Sequence, residues 1–121
     1  MKGVYTFELQ GIIKPYVRMT QRGKFVKPEA LAYLENQRAI RAALQVQIIG
    51  YPELPLSKRP LAVFIELWRP HLHTRDADNE IKALLDAMNG IVYDDDRWVD
   101  LIHYQRRMEP DAGVLITVRE G

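Results

Sequence analysis

Two acidic segments, at residues 75–82 and 93–96, hold the side chains best suited to chemistry. The first reads Arg75-Asp76-Ala77-Asp78-Asn79-Glu80-Ile81-Lys82, and the second reads Tyr93-Asp94-Asp95-Asp96. Clustered carboxylates repel one another when they ionise together, so a cation usually neutralises such a cluster. Ions of the magnesium type prefer carboxylate oxygens to other side-chain ligands. The pattern therefore predicts a metal site that acts on phosphate.

The positions of these acids relative to the expected elements predict how the site is built. Asp76 and Asp78 lie between a buried strand and a helix, and residues two apart in an extended segment point the same way. Both carboxylates can then face one ion, with Asp95 supplying a third ligand after the helix turns back to the sheet. Asp78, Lys82 and Asp86 are spaced by four and share one helix face. Lys82 is therefore placed to stabilise charge on a scissile phosphate.

Each of these residues also has a purely structural explanation. Asp76 suits a helix N-cap, and Asp78 suits the first turn through its interaction with the helix dipole. Lys82 is spaced to form an i,i+4 pair with Asp78. An acidic triplet such as residues 94–96 is also typical of a polar turn, and Asp86 fits a structural role better than a catalytic one. Spacing alone leaves both interpretations open.

The distribution of charge indicates a basic body that carries one acidic pocket. Residues 76–96 hold seven acids and one base, a net charge of −6, whereas the rest of the chain holds 16 bases and 9 acids, a net charge of +7. This arrangement favours a polyanionic partner held by the body while cations occupy the pocket.

A basic loop at residues 10–27 is the strongest candidate for a DNA contact. It contains no acid, and Tyr16 and Phe25 are interleaved with its bases, as expected of a backbone clamp with a stacking aromatic. Arg69 and Arg75 flank the acidic segment, where they are placed to hold neighbouring phosphates, and Lys58-Arg59 and Arg106-Arg107 extend the basic surface. The predicted DNA contacts are Lys14, Arg18, Arg22, Lys24, Lys27, Arg69 and Arg75.

The apolar pattern predicts an α/β (α+β-like) fold with a small mixed sheet of about four strands and two main helices, in the order β-α-β-α-β-β. Strands are expected at 4–9, 61–68, 98–108 and 114–118. The segment 61–68 is almost continuously apolar, which favours a central strand. A long amphipathic helix is expected from residue 28 to near Gly50, and a second helix is expected to bury Ile81, Leu84, Leu85 and Met88 and to end at Gly90.

Length and composition set the broad class of protein. The 121 residues fit a single domain, 1–121, and 47% apolar residues are ordinary for a folded protein. The absence of cysteine excludes disulfides and thiolate zinc sites. The longest aliphatic run is too short to span a bilayer, and no signal peptide follows Met1. A cytoplasmic protein that does not associate with membranes is expected.

The acidic segments together resemble the RusA family of Holliday-junction resolvases. That family carries an R-D-x-D-N-x-x-K-x-x-x-D-A-L-like helix followed by a D-D-x-x-V turn. This chain resembles the helix from Arg75 to Met88, and Asp94-Asp95 followed by the strand beginning Arg97-Trp98-Val99-Asp100 resembles the turn. The early strand, basic loop and long helix are also in the family's order. Two features differ: Asp96 is an additional acid, and the first loop lacks the family's Pro/Asn-rich character.

The resemblance implies a metal-dependent endodeoxyribonuclease that cuts four-way DNA junctions as a homodimer in recombination and repair. It implies Asp76, Asp78 and Asp95 as metal ligands for Mg²⁺ (or Mn²⁺) and Lys82 as the catalytic cation. Alignment through Val99 favours Asp95, while Asp94 and Asp96 remain alternatives for the third ligand. Two other functions stay open: a DNA-binding accessory module that does not cut, and a nuclease for other branched DNA.

Overall fold

The described residues form one four-stranded mixed sheet with two helices. The computed structural model describes residues 3–11, 13–14, 28–72 and 74–121. In chain order, the elements are β1 (Val4–Gln10), α1 (Pro28–Gln47), β2 (Leu61–Arg69), α2 (Ala77–Met88), β3 (Val99–Met108) and β4 (Gly113–Glu120). Short 3₁₀ turns follow α1 at Ile48–Gly50 and precede β3 at Asp96–Trp98. The predicted fold class and element order are confirmed.

The sheet has the strand order β1-β4-β2-β3, so β2 is an interior strand as predicted. β2 pairs with β3 in parallel, with Leu61 opposite Val99 and Arg69 opposite Met108. β4 pairs antiparallel with both β1 and β2. The parallel β2-α2-β3 connection follows from the topology: α2 begins beyond the carboxyl end of β2 and must run back along the sheet before β3 can start.

One face of the sheet carries the hydrophobic core. Alternate side chains of β1, β2 and β4 are buried on this face, in the period-2 pattern of a half-covered sheet. They form a single cluster with the buried side chains of both helices, including Tyr33, Ile40 and Leu44 of α1. The predicted amphipathic character of α1 is therefore confirmed.

The buried side of α2 differs from the prediction. Leu84 and Met88 are fully buried as expected, but Ile81 and Leu85 are only partly buried. Ala83, Ala87 and Glu80 take the remaining buried positions. The stripe is rotated because the small alanines let the helix approach the sheet closely, and because Glu80 has a buried partner described below.

The carboxyl end of α2 is fixed by α1. Gln37 donates to the Ala83 carbonyl at 2.9 Å, and Arg41 donates to the carbonyls of Ala87 and Asn89 at 3.0 and 2.8 Å. The Ala87 and Asn89 carbonyls lie at the end of the helix, where backbone acceptors lack an intrahelical partner and a nearby cation is favourable. Gly90 has φ 80°, which a residue with a side chain rarely adopts, and it ends the helix where predicted.

Within the described part of the chain, no helix is long and apolar enough to cross a membrane.

Candidate functional site

The Asp76–Asp78 segment lies where the loop after β2 becomes α2. Asp76 is the N-cap residue with extended backbone angles (φ −66°, ψ 129°), but its side chain makes no capping hydrogen bond. Asp78 lies in the first turn, and its Oδ1 accepts a hydrogen bond from the Asn79 amide at 3.0 Å. Both residues are exposed. Asp76 is at the N-cap position that the structural explanation anticipated, but its carboxylate does not make the capping hydrogen bond.

A buried ion network holds this end of α2 against the sheet. Glu80 is fully buried, and one of its carboxylate oxygens pairs with Arg69 on β2, which is 1% exposed. Its other oxygen accepts from the Tyr104 hydroxyl at 2.9 Å and from Arg106 at 3.3 Å. Burial, together with the hydrogen bond to Glu80, raises the pKa of the Tyr104 phenol. Loss of either Glu80 or Arg69 would leave the other as a buried charge without its partner, so the pair links the start of α2 to β2.

The network also reaches the backbone of the loop. Arg106 donates to the Arg75 carbonyl at 2.7 Å, next to Asp76. Arg75 itself is partly buried, and its guanidinium is 3.4 Å from the Ile13 carbonyl. The loop that carries the aspartates is therefore tied to β3 on one side and to the segment after β1 on the other.

Arg69 cannot serve as the phosphate contact that the sequence suggested. Its guanidinium is buried and paired with Glu80, so DNA does not reach it in this structure. The residue ends β2 with its side chain on the covered face of the sheet, in step with Ile65 and Leu67. These contacts are those of a structural residue.

Lys82 and Asp86 lie on the exposed side of α2, one and two turns after Asp78. The Lys82 Nζ is 3.6 Å from the Asp86 carboxylate, and half of the lysine side chain is exposed. Partial burial raises the pKa of Asp86, and the Lys82 charge opposes that shift. The predicted shared face is present, and its lysine is held by the acid on its C-terminal side.

Each member of the acidic triplet has its own partner. Asp94 accepts from the Ser57 hydroxyl at 2.5 Å and from the Trp98 indole at 2.6 Å, which together lower its pKa. Asp95 caps the 3₁₀ turn by accepting from the Arg97 amide at 2.9 Å, and it pairs with the Arg97 guanidinium at 3.0 Å. These contacts with Arg97 lower the pKa of Asp95.

The two acidic segments lie at opposite ends of α2. The third member of the triplet, Asp96, accepts a 3.3 Å hydrogen bond from Asn89, directly after the helix. Twelve residues separate this point from Asp76, or about 18 Å of helix rise. No group of three His, Asp or Glu side chains within the described ranges is close enough to hold a metal ion. The chain as described thus brings Asp76 and Asp78 together but does not bring Asp95 to them, and the role of Asp95 stays a prediction.

Most of the predicted basic loop lies outside the described residues. This applies to Arg18, Arg22, Lys24 and Lys27, all within 15–27. Lys14 is described and exposed, and its backbone amide donates to Asn36 of α1 at 3.0 Å. Lys14 therefore lies beside α1.

A basic cleft at the other end of the sheet was only partly foreseen. It has a volume of about 300 Å³ and is lined by Lys58, Arg59, Pro60, Arg97, Trp98 and Asp100. The Arg97 guanidinium lies 5.7 Å from the Trp98 ring centroid. Lys58-Arg59 was recognised as basic surface from the sequence, but nothing in the spacing indicated that Arg97 would face it.

The network around Glu80 was also missed. The sequence showed Glu80 as one more member of an acidic cluster, and its only available signal was an acid at a buried position of the α2 helical stripe. A charged residue at such a position requires a partner. The partners come from β2 and β3, which no local spacing relates to the helix.

The chain was compared with known proteins. A search of curated proteins gives no match. A family model described as endodeoxyribonuclease RusA matches residues 11–119 of the 121-residue chain. This match spans both helices, β2 to β4 and both acidic segments, and it confirms the resemblance that the Asp76–Asp86 motif indicated. The protein therefore belongs to the RusA family of endodeoxyribonucleases.

Proposed function

We propose that this protein is a metal-dependent endodeoxyribonuclease that cuts four-way DNA junctions during recombination and repair in the cytoplasm. The observation that carries the proposal is the pair of exposed carboxylates, Asp76 and Asp78, on a rigidly anchored helix start in a chain of the endodeoxyribonuclease RusA family. Metal-assisted phosphodiester hydrolysis needs metal ligands, an activated water and a cation near the leaving oxygen.

The donor chemistry at the start of α2 fits a hard divalent cation. Asp76 and Asp78 offer carboxylate oxygens on an exposed edge, and the Asp76 oxygens are not used for capping. These two residues would hold Mg²⁺ or Mn²⁺, which when bound polarises the phosphate and lowers the pKa of an attacking water. Lys82, one turn further along the same face, would stabilise the charge that develops on the phosphate oxygens. The buried Glu80 network keeps these side chains in register with the sheet.

The other oxygen ligands of the divalent cation come from groups other than Asp76 and Asp78. Asp95 lies near the opposite end of α2, so within one chain it does not share an ion with Asp78. The scissile phosphate, water, or the triplet of a second protomer would complete the coordination. A second protomer is required on independent grounds, because one domain with one site cuts one strand and a twofold dimer supplies two symmetric cuts.

A cleavage assay on one gel tests the proposal. Purified protein is incubated with labelled four-way junction, fork and linear duplex, each with Mg²⁺, Mn²⁺ or EDTA. We expect paired nicks in the junction with either metal and none with EDTA. Preferential cutting of the fork or duplex would identify a nuclease for other DNA. Junction binding without cleavage under any metal would identify a non-cleaving DNA-binding module and overturn the enzyme proposal.

The basic cleft is expected to contribute to junction binding. Lys58 adopts φ 54°, a conformation that Asn tolerates, so Lys58→Asn removes the charge with little added backbone strain. The logarithm of the binding constant falls linearly with log[salt], and each lost phosphate contact reduces the magnitude of this slope by about 0.9. We expect Lys58→Asn to show such a reduction when binding is measured in EDTA at several salt concentrations.

Arg38→Gln is the matched control, since Arg38 is an exposed base on α1 away from this cleft. An unchanged slope for Lys58→Asn, or an equal drop for Arg38→Gln, would remove the cleft from the DNA surface.

A further inference from the structure

The backbone on either side of Asp76 is held by hydrogen bonds from the two members of one ion pair. The carbonyl of the preceding residue, Arg75, accepts from Arg106 Nη1 at 2.7 Å. The carbonyl of Asp76 itself accepts from the Glu80 amide at 3.2 Å. The side chains of Arg106 and Glu80 are in turn 3.3 Å apart. Asp76 therefore lies within a closed ring of contacts that joins the loop, the first turn of α2 and β3.

These two hydrogen bonds determine where the Asp76 carboxylate can lie. A peptide group is planar, so a bond to its carbonyl oxygen restricts the orientation of the whole group, including the Cα atom that follows. The peptide groups before and after Asp76 are both held in this way, and its side chain projects from the Cα atom between them. The Asp76 carboxylate makes no capping hydrogen bond of its own. Its position is therefore set by the groups that hold the backbone.

Arg106 is placed by β3 to make the first of these bonds. Tyr104 and Arg106 are two residues apart on the strand, so their side chains lie on the same face, where both contact Glu80 of α2. The Arg106 side chain is 26% exposed, and its Nη1 donates to both Glu80 and the Arg75 carbonyl. The sequence grouped Arg106 with Arg107 as basic surface, but these contacts direct Arg106 to the loop.

Holding Asp76 and Asp78 together has a free-energy cost before a cation binds. Nearby carboxylates repel each other when both are ionised, so an unrestrained loop would let the two residues move apart. A site whose ligands are already held in place binds more tightly, because less freedom is lost on binding. Removing a group that hydrogen-bonds and orients a metal ligand typically lowers metal affinity by about 10–100-fold.

We propose that Arg106 is a positioning residue for the metal site at the start of α2, and that it acts on Asp76 through the Arg75 carbonyl. Glu80 holds Arg106 in place for this role. The inference rests on the proposed metal-dependent nuclease and adds to its site a residue from outside both acidic segments. It also divides the buried network into two parts: the pair of Arg69 and Glu80 anchors the helix, whereas the Arg106 link sets the loop.

Metal binding by the protein without DNA tests this role. Arg106→Met removes both hydrogen bonds and keeps an aliphatic stem, and Mn²⁺ binding is measured by electron paramagnetic resonance. We expect the affinity to fall by about 10–100-fold. The Mg²⁺ concentration that gives half-maximal junction cleavage should rise in parallel. Loss of a positive charge near two carboxylates would by itself tighten cation binding, so weaker binding reports a change of position rather than of charge.

Two matched variants separate the loop contact from the charge and from the rest of the network. Arg106→Lys keeps the charge and a single nitrogen that can donate to both acceptors, so it should retain most of the Mn²⁺ affinity. Tyr104→Phe removes the 2.9 Å hydrogen bond to the same Glu80 oxygen but leaves the bond to the Arg75 carbonyl in place. It should lower the thermal stability and leave Mn²⁺ affinity unchanged. Circular dichroism checks the fold of each variant, and Arg106→Gln replaces Arg106→Met under the same criteria if the latter does not fold.

The possible outcomes distinguish this inference from the proposed function. Equal Mn²⁺ affinity in Arg106→Met and the natural protein would overturn the positioning role and leave the nuclease proposal intact. An equal loss of affinity in Tyr104→Phe would also overturn it, since the effect would then come from a loosened helix. Unchanged Mn²⁺ affinity with a reduced salt dependence of junction binding in EDTA would make Arg106 a phosphate contact instead. A natural protein that binds no Mn²⁺ would overturn the metal site and this inference together.

Discussion

Asp78→Asn is expected to lower junction cleavage at least about a thousandfold, because removing a ligand charge costs the several kcal/mol that the metal contributes to the transition state. Junction binding should persist, since the basic surface is untouched and one local negative charge is lost. Cleavage rates in Mg²⁺ and binding in EDTA are measured on the same preparation.

Asp111→Asn provides the control for Asp78→Asn, because Asp111 is an exposed acid in the turn before β4 and lies outside both acidic segments. It should cut at the natural rate. If Asp78→Asn cuts the junction at a rate within a few-fold of the natural protein, the proposed metal site at the start of α2 is wrong.

A mixing experiment then places Asp95. If the triplet acts across the dimer, Asp78→Asn and Asp95→Asn are each inactive, but an exchanged mixture contains heterodimers with one intact site and regains nicking. If Asp95 acts within its own chain, the mixture stays inactive. Full activity of Asp95→Asn alone would show that this residue only caps the 3₁₀ turn through Arg97.

The second large effect is on stability. Glu80→Gln leaves the guanidinium of Arg69 buried without its counter-charge, and breaking a buried pair in this way typically costs about 3–5 kcal/mol. For a domain of this size that corresponds to a fall in Tm of roughly 10–20 °C. Thermal or urea unfolding measures the loss.

Glu35→Gln is the matched control for Glu80→Gln, because Glu35 is an exposed acid on α1, and it should change Tm by only a few degrees. Arg69→Met combined with Glu80→Gln also removes the unpaired charge of the Arg69 guanidinium, and the double variant should recover part of the stability. A Tm for Glu80→Gln close to that of the control would mean that the network contributes little to holding α2.

The overall fold could be predicted because its signals are local. The continuous apolar run of β2, the alternation of Val114, Ile116 and Val118, and Gly90 after the second helix each specify one element through period or backbone conformation alone. A helix between β2 and β3 then restricts the topologies that a single sheet can adopt.

The site could be predicted only in part, because its remaining features depend on contacts between elements distant in sequence. The spacing of Asp76, Asp78 and Lys82 is local and was visible. The burial of Arg69 could not be predicted. Strand alternation indicates which face of the sheet a side chain lies on, but not whether other elements cover that face at the end of the strand. Asp78 and Asp95 are separated by the full length of α2. The chain turns back toward β3 only after the helix ends, so Asp95 lies far from the start of the helix.

The pairing of β1 has a consequence for folding kinetics. Among the described strands, β4 alone pairs with it, with Val4 opposite Arg119. Because β1 is synthesised first, it cannot pair until a strand more than a hundred residues later in the chain has been made. At about 5–20 residues per second on the ribosome, the apolar side chains of Tyr5, Phe7 and Leu9 stay unprotected for roughly 5–20 s. Closing so long a loop is also slow after release, in the millisecond-to-second regime of non-local topologies. The nascent chain is thus a natural client for a holding chaperone until its last strand emerges.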